Sequence, residues 1–240
     1  MIRNTDQLKK KLHLMKMNLA RIAGISEGMK VLDIGCGQGS FTACVAELVG
    51  QKGRVVGVDI TDEYLDEMNR NLDESGLRDR VEFVKSDAAE LSSSIDSVFD
   101  ATVSYRLIEE LAHPKKLPNI ILEMAKCARQ SGSVALIELS IETRIPAEEN
   151  LIKLHRDIGQ DYFPSPEKVI CQMKNAGLRE VQIKTTETDI WYSSDLLLKG
   201  VGSQDEVWPE FRKQIMEELW QSARKHGMKY PSINVFLGKR

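Results

Sequence analysis

The stretch VLDIGCGQGSFT, residues Val31 to Thr42, decides how the rest of the chain is read. Residues 29–34 form an apolar burst too short for a helix and closed by glycine, which predicts a buried strand. Glycine then returns at every second place, at Gly35, Gly37 and Gly39. Ser40 opens a predicted helix that runs to about Val49 and stops at Gly50. A strand, a glycine turn and a helix set backbone N–H groups and the positive end of a helix beside a ligand. The spacing differs from a dinucleotide loop, because the third glycine falls one place early. No Gly-Lys-Ser/Thr follows, so a P-loop is excluded.

The same alternation repeats downstream. GRVVGVDI (53–60), RVEFVKSD (80–87), SVFDATVSY (97–105) and SVALIEL (133–139) read as strands. Between them fall helices with Leu65, Met68 and Leu72 on one face, capped by Thr61 or Asp62, and over about Lys115 to Ala128. Strands that alternate with helices predict a parallel sheet covered on both faces, with ligands at the C-terminal ends of its strands. A helix starting at Ser165-Pro166-Glu167, a strand through VQIKTTETDIWY (181–192) and a last strand in SINVFLGKR (232–240) complete a seven-stranded, doubly wound α/β fold.

Ahead of the sheet, Leu8, Leu12, Met15, Leu19 and Ile22 predict an amphipathic helix starting near Asn4 or Thr5. A helix with Phe211, Ile215 and Leu219 on one side is expected from Val207 to Gly227, a face that could serve a homodimer. The whole chain reads as one domain, 1–240. Its core is about 25–140 with 165–191 and 232–240; segments 141–164 and 193–231 are insertions expected to form a substrate lid.

Composition bounds the partners. A net charge of -3, with 42% hydrophobic and 29% charged residues, describes an ordinary globular chain and argues against a nucleic-acid partner. Cysteines 36, 44, 127 and 171 form no Cys-x-x-Cys pair, so neither a metal site nor a disulfide framework is expected. No signal-peptide core and no membrane span is expected, and reduced thiols suit a cytoplasmic setting.

Acids end three consecutive predicted strands: Asp33, Asp59 and Asp87. A carboxylate at the end of the second strand can accept both hydroxyls of a ribose. Three acids disfavour a phosphate-rich ligand, which they would repel. They suit a ligand with an amine, a ribose and no phosphate.

Those residues carry a resemblance to the class I S-adenosylmethionine-dependent methyltransferases. VLDIGCGQG resembles that family's first motif, VVGVDI its second-strand motif, VKSDAAEL its adenine motif, and FDATVSYRLIEEL its fourth-strand motif. FPSPEKVICQMKNAGLREVQI (163–183) is similar to the small-molecule branch that includes ubiquinone- and menaquinone-pathway enzymes. The resemblance implies S-adenosylmethionine as cofactor, S-adenosylhomocysteine as product and a small-molecule methyl acceptor. It implies that Gly35, Cys36, Gly37 and Gly39 carry the loop beside the cofactor, and that Asp33 holds its ammonium. Asp59 would take the ribose, Ile60 the adenine face, Asp87 the adenine amino group with Ala88 beside it, and Ser104 and Tyr105 the methionine part. The chain departs from many relatives in having Glu109-Glu110 where they carry paired histidines. It also lacks the Asn/Asp-Pro-Pro-Tyr/Phe of enzymes that methylate exocyclic amines of DNA bases.

Direct displacement needs a base only when the nucleophile arrives protonated. Tyr105 and His155 are the candidates; His113 reads as an exposed loop residue and His226 as a surface residue, while His13 lies in the N-terminal helix, which in the resembled family often closes over the cofactor. Tyr162, Phe163, Trp191, Tyr192 and Trp208 are candidate pocket walls. Three alternatives stay open: a methyltransferase acting on RNA or protein, a nicotinamide oxidoreductase, and a non-catalytic cofactor-binding protein.

Overall fold

The computed structural model describes residues 5–159, 161–192 and 210–240. The cap at Asn4, the wall residue Trp208, residues 193–209 of the second insertion and the helix start at Val207 lie outside the described residues. The chain divides into two compact units.

The larger unit comprises Lys16–Glu138, Pro164–Lys184 and Asn234–Arg240. Its strands are β1 (Lys30–Ile34), β2 (Arg54–Asp59), β3 (Val81–Lys85), β4 (Phe99–Tyr105), β5 (Ala128–Leu139), β6 (Arg179–Thr186) and β9 (Ile233–Lys239). They form a seven-stranded sheet in the order β3-β2-β1-β4-β5-β9-β6. β1 pairs in parallel with β2 on one side and β4 on the other, with Ile34 beside both Val58 and Ser104. The chain therefore winds away from β1 in one direction and returns past it in the other. The switch point lies between β1 and β4, where open α/β sheets bind ligands.

Helices α2 (Ser40–Val49), α3 (Leu65–Glu74), α4 (Leu117–Cys127) and α6 (Pro166–Asn175) cover the sheet. Successive strand residues point to opposite faces. On β4, Thr102 donates to the Met124 carbonyl of α4, while Tyr105 stacks on Phe41 of α2. The two residues are three apart, so α2 and α4 lie on opposite faces. Val31, Leu32, Ile34, Val58, Val103, Leu136 and Ile137 are buried between them. The Ser165 hydroxyl caps α6 by accepting from the Lys168 N–H at 3.3 Å, as its sequence predicts.

Two boundaries differ from expectation. α3 begins at Leu65, not after Thr61 or Asp62. Those residues serve a turn: the Thr61 hydroxyl accepts from Glu63 N, and Asp62 pairs with Lys85. β5 begins at Ala128, five residues before the apolar run. Its polar start is held by Arg240, whose carbonyl accepts from Ser131 N and whose N–H donates to the Gly132 carbonyl.

The second unit is built from described residues within Met1–Met15, Leu139–Phe163 and Thr185–Ile233. It holds α5 (Pro146–Lys153), a π-helical turn over Leu154–Gly159, α7 (Glu210–His226) and a short antiparallel pair, β7 (Trp191–Tyr192) with β8 (Met228–Lys229). Buried Glu148 of α5 accepts from Lys229 Nζ at 2.8 Å, and Asn150 donates to the Gly227 carbonyl. The amphipathic N-terminal helix, α1 (Thr5–Ile22), runs from this unit into the larger one. No helix among the described residues is long and apolar enough to cross a membrane.

Candidate functional site

The loop after β1 is bound to the end of β2. Gly35 and Cys36 both donate their N–H to the Val58 carbonyl, at 2.8 and 3.0 Å. Gly37 donates to Asp59 Oδ2 at 2.9 Å, and Thr61 N donates to Oδ1 at 3.2 Å. The strand–glycine–helix pattern predicts loop N–H groups facing a ligand; in the fold those of Gly35, Cys36 and Gly37 are spent on Val58 and Asp59 of β2. What the loop offers is close approach. Gly35 has φ +74°, and a Cβ there would stand 2.7 Å from Leu107 Cδ1. Gly39, at φ 75°, begins α2, and a Cβ there would strike Met68. Asp59 keeps lone pairs for further donors, because each carboxylate oxygen accepts only one of these bonds.

A cavity of about 170 Å³ opens at the ends of β1, β2 and β3. Gly35, Asp59, Ile60, Asp87 and Ala88 line it, so five of the predicted residues meet there. Ile60 is 66% exposed, an apolar side chain without cover at the cavity wall. The opposite wall comes from the segment after β4, including Leu107, Glu110 and His113, and from Lys116. Asp33, Cys36, Gly37, Gly39, Ser104 and Tyr105 are not among the lining residues.

Asp33 and Ser104 lie below the loop at the switch point. Asp33 is 1% exposed; its Oδ2 accepts from the Thr42 hydroxyl at 2.7 Å. Burial raises its pKa to about 7; the Thr42 hydrogen bond opposes the shift and the charge of Asp59 adds to it. Asp33 Oδ1 and Ser104 Oγ are buried without a hydrogen-bond partner among the described residues. Buried polar atoms without partners are rare and call for a ligand or a water. Tyr105 lies flat on Phe41, with ring centroids 4.9 Å apart and planes 7° apart.

Several groups at the site carry little signal in the sequence. Lys16 of α1 donates to Ser40 Oγ at 2.7 Å and stands 5.6 Å from the Tyr105 ring centroid. Burial lowers its pKa. Its only sequence signal is its place at the edge of the apolar stripe of α1. Glu138 of β5 accepts from the Ile108 N–H at 3.1 Å and so pins the segment that carries Leu107. Burial, then the charge of Glu109, pushes the Glu138 carboxyl well above the usual range. The unusual Glu109-Glu110 divides its work: Glu109 is buried and pairs with Arg106, whereas Glu110 lines the cavity.

Of the histidines, His155 is in the second unit, in the π-helical turn, with Nδ1 2.8 Å from Asp161 Oδ2. His113 is exposed, as expected, and lines the cavity. His13 and His226 are exposed on α1 and α7. Of the candidate wall aromatics, Tyr192 is buried edge-on against Tyr230, and Trp191 lies under the Lys229 ammonium. Both serve the β7–β8 pair. Tyr162 and Phe163 are partly buried.

A glycine edge, an uncovered apolar side chain, a carboxylate at the second strand and orphaned polar atoms at the switch point fit an adenosyl amino acid. The family described as a methyltransferase domain matches residues 25–192. A demethylmenaquinone methyltransferase from Bacillus cereus is 27% identical over 187 residues, covering 68% of this chain and 76% of that protein. A probable cobalt-precorrin-6B C(15)-methyltransferase (decarboxylating) from Saccharolobus solfataricus is 40% identical over 76 residues, covering 32% of this chain and 38% of that protein. Among solved structures, a cyclopropane-fatty-acyl-phospholipid synthase-like protein from Lactobacillus casei superposes with a TM-score of 0.75 at 17% identity. That match covers 100% of this chain and 94% of that one, and it shows the fold.

Proposed function

Because the chain belongs to the methyltransferase-domain family and is an S-adenosylmethionine-dependent methyltransferase, we propose that it methylates a small-molecule acceptor by direct in-line displacement. The observation that carries the reading is the position of Asp59: its carboxylate is fixed by the Gly37 and Thr61 N–H groups on the wall of a cavity that Ile60 leaves apolar. The acceptor class rests on the relatives, which are named for demethylmenaquinone and cobalt-precorrin-6B, both small molecules. The net charge of -3 supports it, since a nucleic-acid acceptor calls for a basic face.

When bound, the cofactor supplies an already activated methyl group, so the protein's task is placement. Asp59 accepts from the ribose hydroxyls. Ile60 and Ala88 pack on the adenine, and Asp87 accepts from its amino group. Asp33 and Ser104 receive the amino-acid end, and Gly35 lets the chain pass close. Tyr105, held flat by Phe41, marks the end of β4 on the acceptor side. His155, oriented by Asp161, is the candidate base for an acceptor that arrives protonated. Acceptor selection is assigned to the insertions, residues 141–164 and 193–231.

The test is release of S-adenosylhomocysteine from S-adenosylmethionine with a panel of quinols, catechols, amines and activated carbon acids. Turnover with at least one small acceptor, lost or reduced in His155→Ala or Tyr105→Phe, supports the reading. Turnover only with RNA or protein overturns it.

A further inference from the structure

Asp87 is the residue expected to receive the adenine amino group, yet its carboxylate is already engaged. Oδ1 accepts from the Ala89 N–H at 2.9 Å, and Oδ2 accepts from Lys116 Nζ at 2.5 Å. These partners hold the Asp87 carboxyl below the usual carboxylate range, Lys116 first among them. Lys116 comes from the turn that leads into α4, 29 residues further along the chain, and lines the same cavity as Asp87, Ala88 and Ile60. The pair is half open: the lysine side chain is 41% exposed and the aspartate 25%.

The cavity wall thus presents a hydrogen-bond acceptor and a donor side by side. A carboxamide presents the same two groups, and Asn and Gln use them to grip adenine, accepting from N6 and donating to N7. An ammonium carries three hydrogens, so Lys116 can hold Asp87 with one and still donate with another. The Asp87 oxygens likewise have lone pairs left for an amino group. We propose that Asp87 and Lys116 together read the N6–N7 edge of the cofactor's adenine, with Asp87 accepting from the amino group and Lys116 donating to N7. This rests on the cofactor reading given above. The Ala88 main chain, next to Asp87 on the same wall, is left to the N1 side. The arrangement also rejects a 6-oxo purine, whose O6 would meet the Asp87 carboxylate.

The experiment is calorimetric titration of the full chain with S-adenosylhomocysteine and its 7-deaza and 1-deaza analogues, for wild type and Lys116→Met. In wild type the 7-deaza analogue should bind about tenfold more weakly than the parent, the value of one charge-assisted hydrogen bond. In Lys116→Met that penalty should vanish, and the parent should itself bind about tenfold more weakly. Lys116→Arg keeps a donor and should keep part of the discrimination, which separates a lost contact from a damaged fold. A 7-deaza penalty of equal size in wild type and Lys116→Met overturns the inference. So does a penalty confined to the 1-deaza analogue that disappears in Lys116→Met. No binding of S-adenosylhomocysteine to wild type overturns the cofactor reading itself, which the other outcomes leave intact.

Discussion

The carboxylate of Asp59 accepts a 2.9 Å hydrogen bond from the N–H of Gly37, so the acid of β2 and the glycine loop of β1 form one piece. Removing the acid also frees Gly37, while Gly35 and Cys36 stay bound to the Val58 carbonyl. Under the proposed ribose assignment, Asp59→Ala removes the acceptor for the ribose hydroxyls, and it leaves the Gly37 and Thr61 N–H groups without this acceptor. The affinity for S-adenosylhomocysteine should fall at least about a hundredfold. Asp59→Asn keeps a neutral acceptor for the loop and should fall less, by about tenfold. Calorimetry on both variants decides; equal affinity in wild type and Asp59→Ala removes the ribose assignment.

Asp33 gives a pH test of the proposed ammonium site. Its ordinary carboxyl value of 3.8 is raised to about 7 in the fold, mainly by burial. Between these values the folded chain holds a proton that the unfolded chain has lost. The contribution to stability is therefore full below about pH 4, falls as pH rises to about 7, and is level beyond. Asp33→Asn removes that fall, so its melting temperature relative to wild type should be higher at pH 8 than at pH 5. A cofactor ammonium beside the carboxyl favours the charged form. Binding near pH 7 should then release a proton, and affinity should weaken as pH drops below 7. Titration in two buffers of different ionisation enthalpy measures the release; an unchanged release in Asp33→Asn places the ammonium elsewhere.

Much of this site was legible because local chemistry punctuates it. Ser40–Val49 is both the expected and the observed helix, since glycine stands at each end. Asp59, Ile60, Asp87 and Ala88 meet in one cavity because parallel register carries successive strand ends to one edge. What stayed hidden depends on distant partners. The start of β5 needs Arg240 to hold it, and Glu138 acts through Ile108. Lys16 and Lys116 belong to segments 24 and 29 residues away from the groups they touch. No local pattern marks such pairs. The same holds for the loop: the Gly35 and Cys36 N–H groups find their acceptor, Val58, on another strand.

Gly35 and Gly37 separate two costs of the loop. Both have positive φ, +74° and +47°, so alanine at either pays the left-handed penalty of about 1–2 kcal/mol. At Gly35 the new Cβ also presses on Leu107, which lines the cavity; at Gly37 it meets nothing within 4 Å. Gly35→Ala should therefore lose more stability than Gly37→Ala. If a ligand passes over Gly37, Gly37→Ala should lose affinity beyond what its melting temperature explains. Thermal melts and calorimetry on the two variants read both effects.

The cysteines give a test of the direct-displacement reading. Cys36, Cys44 and Cys127 are buried, and burial raises the thiols of Cys44 and Cys127 to about 11 and that of Cys36 higher still. Cys171 alone is exposed. Native protein at pH 8 should expose one fast thiol to a disulfide reagent, and Cys171→Ser should abolish it. Cys36→Ala should keep turnover within a few-fold, because the loop needs a small residue there and no nucleophile. A Cys36→Ala variant that binds S-adenosylmethionine normally but no longer turns over would point to covalent chemistry at that thiol.

Ile60 distinguishes binding from folding most sharply. The side chain is 66% exposed, so the fold gains little from it. Ile60→Ala should leave the melting temperature within the range of ordinary surface changes, about 0.5 kcal/mol. If the adenine covers Ile60, burying the side chain is worth up to about 1.5–3 kcal/mol, and truncation removes part of that. The dissociation constant for S-adenosylhomocysteine should then rise about three- to tenfold. Ile60→Asp adds a like charge beside Asp59 and Asp87 and should cost more. Leu72→Ala is the converse case: its side chain is fully buried under α3, so stability should fall by about 2–5 kcal/mol, and binding at temperatures where the variant stays folded should change little. If Ile60→Ala leaves affinity unchanged, the adenine does not lie on Ile60.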